Sequence, residues 1–169
     1  LIPDELSERF KYALYLDADI IINDQLDFDS HALNNHTIAA IKDSISDVLA
    51  PKRNLPAYFN AGIMLINVSR WRQKDSLSKL LVHKPAFTLF AEQELLNEVF
   101  EGDWQEIDSR FNYPANKLLL TMNGYKMKNG GRPAIIHYLG GIKPWKLWVR
   151  GSFLYWNFIW QTPNKWRIL

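Results

Sequence analysis

Apolar positions along this chain follow two rhythms. Residues 12–16, 37–41, 62–68 and 134–138 are short apolar blocks rich in Ile, Val or Tyr, the signature of buried strands. Between the blocks the spacing turns helical. Ser69 is placed to cap a helix running to about His83, with Pro85 as its stop. A second helix is predicted from about Ala91 to Gly102. In it Leu95, Leu96 and Val99 form an apolar stripe, while Gln93 and Asn97, four apart, share another face. Strands alternating with helices predict an α/β fold with a mostly parallel sheet. Asn129-Gly-Gly131 reads as a turn, and no internal repeat or low-complexity stretch interrupts the pattern.

The first block leads into Asp17-Ala-Asp19. Side chains two apart on an extended strand share a side, so both carboxylates can face one hard cation while the apolar run before them is buried. A strand ending in a polar turn has the same look. Phe59-Asn-Ala-Gly62 sets an amide and small residues before the 62–68 block, as a backbone closely approached by a ligand needs, or as a simple turn has. Glu92-Gln93 opens the second helix, where free N–H groups favour a polar or anionic guest and where exposed polar residues are also common. Asp43 follows the 37–41 block, at the sheet end where ligands collect; a turn aspartate is the plainer alternative. Ile135-Ile-His-Tyr-Leu-Gly-Gly-Ile-Lys-Pro-Trp145 is harder to explain as structure alone. An apolar strand ends in His137, glycines let the backbone pass close to a ligand, and Lys143 follows. An imidazole joining two carboxylates suits Mn²⁺, and a lysine nearby balances diphosphate charge.

Composition narrows the classes. With 169 residues, 47% of them hydrophobic, the chain can bury one sizeable core. No stretch approaches the ~20 uninterrupted apolar residues of a membrane span. The absence of cysteine excludes disulfides and thiolate metal sites and suits a reducing cytosol. The net charge of +2 hides an asymmetry: residues 1–108 carry −8, and residues 109–169 carry +10 with no acid at all. That basic third also holds Trp145, Trp148, Trp156, Trp160 and Trp166. Bases interleaved with aromatics serve single-stranded nucleic acid, an anionic membrane surface or a phosphate-bearing ligand; an aromatic helix packed on the core with a solvated basic face is the structural alternative. The first residue is Leu1, and the Asp-x-Asp follows close behind it, whereas open α/β sheets gather ligands across several βα units. The chain therefore reads as a piece of a larger protein.

In order along residues 12–148, Leu16-Asp-Ala-Asp19, Phe59-Asn-Ala-Gly62, Glu92-Gln-Glu-Leu-Leu-Asn97, Arg110-Phe-Asn-Tyr-Pro-Ala-Asn116 and His137-Tyr-Leu-Gly-Gly-Ile-Lys-Pro-Trp145 resemble the successive motifs of glycosyltransferase family 8. These are retaining, UDP-sugar-dependent enzymes, and the final aromatic stretch is most similar to the bacterial lipopolysaccharide galactosyl- and glucosyltransferase branch. The resemblance implies a Rossmann-like nucleotide-sugar-binding sheet of GT-A type without its N-terminal part. Residues 1–148 would be the C-terminal part of that catalytic domain and 149–169 an aromatic, basic helical tail. It implies that Asp17, Asp19 and His137 bind Mn²⁺, with Mg²⁺ a substitute, and that the ion bridges the phosphates of UDP-glucose or UDP-galactose. Asn60, Ala61, Gly62 and Glu92 would contact the donor sugar, Asp43 its hydroxyls, and Gly140 and Lys143 the diphosphate. Gln93 would face the anomeric carbon opposite the leaving group. Position 92 is commonly Asp in the family and is Glu here, one methylene longer. The implied acceptor is a glycan such as lipopolysaccharide core, the implied location cytoplasmic and peripheral to the inner membrane through the tail, and no nucleic-acid partner is expected.

Two rival classes compete for these residues. A haloacid-dehalogenase-like phosphatase needs Thr or Gly shortly after the second acid and an acidic pair late in the chain, but Ile20-Ile-Ile22 follows here and no acid lies beyond Asp108. A non-catalytic sugar- or membrane-binding fragment is the other alternative. Metal-dependent UDP-sugar hydrolysis separates it from an enzyme.

Overall fold

The computed structural model describes residues 2–28, 33, 35–84, 91–121, 124–141, 143–146, 151–161 and 163. In chain order its elements are α1 (Ile2–Glu5), β1 (Tyr12–Leu16), β2 (Ile20–Ile22), β3 (Ile38–Lys42), α2 (Ser46–Lys52), β4 (Phe59–Asn67), α3 (Val68–Gln73), α4 (Ser76–Val82), α5 (Ala91–Val99), β5 (Trp104–Glu106), β6 (Tyr113–Pro114), β7 (Leu119–Thr121), β8 (Gly124–Lys126), β9 (Ile135–His137) and α6 (Ser152–Gln161). Tight 3-10 turns lie at Ser109–Asn112 and Ala115–Lys117. The chain forms two compact units, residues 1–16 with 27–108 and residues 17–26 with 109–169.

The first unit holds a sheet of order β1-β4-β3-β5. The α/β class stands, but the expected mostly parallel arrangement does not: β4 runs antiparallel to both β1 and β3, and only β3 and β5 are parallel. The physical reason lies in the β3–β4 connection. Its helix α2 has seven residues, ~10 Å, against the nine residues, ~30 Å, of β4, so the helix spans only part of the return that a parallel crossover makes. The core is Ile38, Ala40, Phe59, Met64, Ile66, Trp71, Leu80 and Phe100, against which Leu95, Leu96 and Val99 of α5 pack as the stripe predicted. The apolar run 12–16 was expected to be buried and is not. Tyr12 and Tyr15 are each 39% exposed, because β1 is an outer strand of the described sheet, paired there with β4 alone.

The helix expected over 69–83 is two helices. Its cap is Asn67, the last residue of β4, whose Oδ1 accepts from Arg70 N at 3.1 Å; Ser69 lies inside α3. Asp75 then turns left-handed, φ 50°, and separates α3 from α4. Pro85 lies outside the described residues. The block 62–68 begins earlier than expected, since Asn60, Ala61 and Gly62 belong to β4 itself.

The second unit is a sheet of order β2-β9-β6 with a β7–β8 hairpin. Here β2 and β9 are antiparallel, β6 and β9 parallel. Ile21, Tyr113, Ala115, Leu118, Met127, Ile136 and Tyr138 form its core, and Leu154 and Tyr155 of α6 pack against it. Tyr138 Oη donates to Gly151 O at 2.6 Å, tying β9 to the start of α6. Trp148, Arg150, Lys165, Trp166 and Arg167 of the expected tail lie outside the described residues.

Candidate metal centre and donor-sugar site

In the second unit, β2 starts right after the two acids. Asp17 and Asp19 therefore sit on the turn that precedes β2 and not, as expected, within an extended strand. The antiparallel register sets Ile20 opposite His137, and Tyr138 N donates to Asp19 O at 3.0 Å. Pairing of two strands distant in sequence thus delivers the imidazole to the acids. His137 Nε2 lies 3.6 Å from Asp17 Oδ2 and 3.3 Å from Asp19 Oδ1, and one donor atom from each of the three lies within 4.8 Å of the others. Neighbouring ligands on one cation at ~2.1 Å stand ~3 Å apart, so the set fits a divalent ion with little adjustment.

The electrostatics agree. His137 is 3% exposed, and burial lowers its pKa against the opposing pull of Asp19 and Asp17, which favours the neutral imidazole a metal requires. Its Nδ1 faces Asn112 Oδ1 at 2.8 Å. Lys143 Nζ donates to the second oxygen of Asp19 and, at 3.4 Å, to Tyr138 O. Two carboxylates against one ammonium leave net negative charge. Gly140 lies in the turn after β9 with φ +60°; a Cβ there would meet nothing, so conformation and not space calls for glycine.

In the first unit, the β3–β4 ladder slips. Ala40 pairs with Met64 but Ile41 pairs with Asn60, which leaves Ala61, Gly62 and Ile63 without β3 partners, and the ladder to β1 reaches only to Ile63. Side chains take up the released N–H groups: Ala61 N donates to Gln93 Oε1 at 2.9 Å and Gly62 N to Asn60 Oδ1 at 3.1 Å. Gln93 Nε2 and Asn60 Nδ2 each donate to Asp43 Oδ2 at 3.1 Å, while Asp43 Oδ1 accepts from Ile45 N at 3.0 Å. A backbone N–H only donates and a carboxylate only accepts, so the orientation of the Gln93 amide is fixed at both ends.

The face shared by Gln93 and Asn97 is the one that docks α5 on β4. Asn97 Oδ1 accepts from Phe59 N at 2.7 Å, and its Nδ2 donates to Phe59 O at 2.9 Å and Gln93 O at 2.8 Å. Glu92 is exposed at the start of α5. Burial pushes the Tyr58 phenol, beneath this network, up to about 12. Two features escaped the sequence reading. Arg53 and Glu94 form an ion pair with side chains 3% and 0% exposed, and Asn112 holds His137. Glu94 is one helical turn from Asn97, so its inward face was legible, but its partner stands 41 residues away and no local spacing announces it.

The sequence pattern of glycosyl transferase family 8 matches residues 1–149. This chain belongs to glycosyl transferase family 8. It is 37% identical over 153 residues to Glycosyltransferase GlyB of Streptococcus pneumoniae serotype 4 (strain ATCC BAA-334 / TIGR4), covering 83% of this chain and 36% of that one. It is 27% identical over 151 residues to the lipopolysaccharide 1,2-glucosyltransferase of Escherichia coli (strain K12), covering 80% and 44%. The family 8 chain thus spans less than half the length of either relative. Its fold is similar to that of the galactosyltransferase LgtC, solved in complex with donor and acceptor sugar analogs, with a TM-score of 0.74 at 23% identity over 98% of this chain and 67% of that one. The architecture of this family 8 chain is GT-A type.

Proposed function

We propose that this chain carries the catalytic part of a retaining glycosyltransferase that moves glucose or galactose from a UDP-sugar to a glycan acceptor, such as a lipopolysaccharide core oligosaccharide. The observation that carries the reading is the convergence of Asp17, Asp19 and His137, residues that local packing alone has no reason to assemble. Mn²⁺, or Mg²⁺ in its place, held by these three would offset negative charge on the departing UDP. Lys143, one hydrogen bond from the cluster, adds a cation for the diphosphate, and the Gly140 turn lets the backbone approach it.

On the sugar side, Asn60, Ala61, Gly62 and Glu92 line the hexose pocket. Asp43 holds the Gln93 and Asn60 amides and keeps accepting capacity for a sugar hydroxyl. Gln93 Oε1 has one lone pair committed to Ala61 N, and the other stabilises positive charge developing at the anomeric carbon. A carboxamide is a poor covalent nucleophile. Retention then follows from same-face attack: the acceptor oxygen bonds to the anomeric carbon as the bond to UDP breaks, and the hydroxyl proton passes to the departing phosphate oxygen.

A screen of UDP-sugars with the intact protein tests the reading. Mn²⁺-dependent UDP release from UDP-glucose or UDP-galactose, abolished by a chelator, is the expected result. Absence of release from every UDP-sugar by folded, Mn²⁺-loaded protein would favour the non-catalytic binding alternative. No helix among the described residues is long and apolar enough to cross a membrane. Peripheral docking is supported by Phe153 and Trp160 of α6, each 69% exposed, with Trp145 and Lys146 nearby in sequence. Sedimentation with anionic liposomes at low salt and release at high salt is expected; equal binding to neutral liposomes would count against it.

A further inference from the structure

We propose that Asn112 is a positioning residue that commits His137 to one tautomer, with the proton on Nδ1 and the Nε2 lone pair turned toward Asp17 and Asp19. The inference rests on the metal reading above and gives a part to the Arg110-Phe-Asn-Tyr-Pro motif, which the proposed chemistry otherwise leaves idle.

Asn112 is 5% exposed and closes the Ser109–Asn112 turn. The backbone on both sides of it is fixed to the strand that bears the histidine. Ahead of it, Ala134 N donates to Arg110 O at 2.8 Å; behind it, Tyr113 pairs with Ile136 and Pro114 with His137 in the parallel β6–β9 ladder. The side chain is thereby aimed at the imidazole without relying on its own rotamer freedom. A carboxamide oxygen only accepts, so the 2.8 Å contact between Asn112 Oδ1 and His137 Nδ1 requires a proton on Nδ1. A neutral imidazole carries one N–H, which leaves Nε2 with its lone pair.

The alternative tautomer shows what this decides. With its proton on Nε2, the ring would donate to Asp19 Oδ1 at 3.3 Å, with Asp17 Oδ2 beside it at 3.6 Å, and close the site on itself, and a cation would first have to expel that proton. Asn112 takes the proton to the far side of the ring, so the three donors meet as acceptors only. Burying an amide here where an aliphatic side chain would pack carries a desolvation cost, which the bond to His137 offsets.

The test titrates Mn²⁺ alone into the intact protein and reads free ion by electron paramagnetic resonance. Asn112→Ala and Asn112→Leu should weaken binding by about 10- to 100-fold, while Asn112→Asp, which keeps an acceptor against Nδ1, should stay within about threefold of wild type. In a His137→Ala background, Asn112→Ala should add nothing further. Wild-type affinity in Asn112→Leu, an Asp variant no better than Ala, or additive losses would each overturn the proposal. Wild-type protein that binds no Mn²⁺ would instead remove the metal reading itself. Should the variants fail to fold, the long-range ¹H–¹⁵N spectrum of wild-type His137 at about pH 8, where the ring is neutral, decides the matter. An Nδ1–H pattern is expected, and an Nε2–H pattern overturns it.

Discussion

The two clusters of this molecule are built by opposite means. Around Asp43, Asn60, Gln93 and Asn97, amides and one carboxylate satisfy one another and the N–H groups that a slipped strand register releases, so folding alone sets their geometry. Around Asp17, Asp19 and His137 the same logic fails. Two carboxylates there contribute donor atoms within 4.8 Å of one another and carry like charge, and the contact with Lys143 offsets one of them. On the proposed reading the labour divides: one cluster is finished by the fold, and the other by the cation it would hold. Charge suits the second because a cation can repay it, whereas an amide network suits a neutral sugar whose hydroxyls donate and accept.

The sharpest break of this contrast is Asp19→Asn. It removes one of the three proposed metal ligands and, with it, the like charge that faces Asp17. UDP release should fall by about 10³-fold or more, ~4 kcal/mol in the barrier. Yet the metal-free variant should melt no lower than the wild type. Excess Mn²⁺ at about 100 times its Kd should stabilise the wild type by ~2.7 kcal/mol and the variant by nothing. Calorimetry with and without the ion reads both. A metal-free variant that melts several degrees lower would mean that the cluster holds the fold, and the contrast would collapse.

Gln93→Ala breaks the other side. Truncation removes the oxygen proposed to stabilise developing charge but leaves the Asp17, Asp19 and His137 cluster untouched, so kcat should drop by about 10²-fold while donor KM and the Mn²⁺-induced melting shift stay near wild type. A matching rise in KM would place Gln93 in donor binding and not in the transition state.

The difference between the clusters also explains what could be read from the sequence. Asp17, Asp19, Gln93 and Asn60 stood out because carboxylates two apart, an amide pair four apart and a small-residue run carry local spacing. That Gln93 and Asn97 share a face followed from helical period, but that this face docks α5 on β4 did not; the apolar stripe Leu95, Leu96, Val99 packs as the period requires. Strand direction did not follow, since an apolar block reads the same in either orientation and the length of α2 decided it. Nor did the exposure of β1: Tyr12 and Tyr15 are apolar enough to suggest burial, and only their place at the sheet margin shows otherwise. Asn67 outcompeted Ser69 as cap because the strand ran right up to the helix. The partners Arg53–Glu94 and Asn112–His137 are contacts across 41 and 25 residues, and composition holds no trace of such pairs.

Asn97→Ala probes how firmly the fold finishes the sugar-side cluster. It strands the N–H and C=O of Phe59 in a buried position, for a loss of ~2 kcal/mol in urea unfolding, and it loosens Gln93 from below. Activity should fall together with stability. A variant as stable as wild type would show that water or a neighbouring group replaces the amide.

The smallest effect concerns a charge that serves the first unit's fold and no ligand. Asp103 accepts from the hydroxyl and N–H of Thr37 and pairs with Lys74 Nζ at 2.7 Å, joining the start of β3, the end of α3 and the start of β5. Burial pushes its carboxyl pKa up, but Lys74 and Thr37 outweigh that and hold it below the usual aspartate value. A folded pKa below the unfolded one gives stability that is fully present above ~3.9 and is lost as pH falls through the folded value. Asp103→Asn, which still accepts from Thr37 but sheds the charge, should therefore cost ~1 kcal/mol at neutral pH and close to nothing at an acid pH below the folded value. Urea unfolding of the pair at the two pH values measures the difference. A gap that persists unchanged in acid would show that shape and not charge holds this corner, and the line drawn here between charges for ligand and charges for fold would have to be moved.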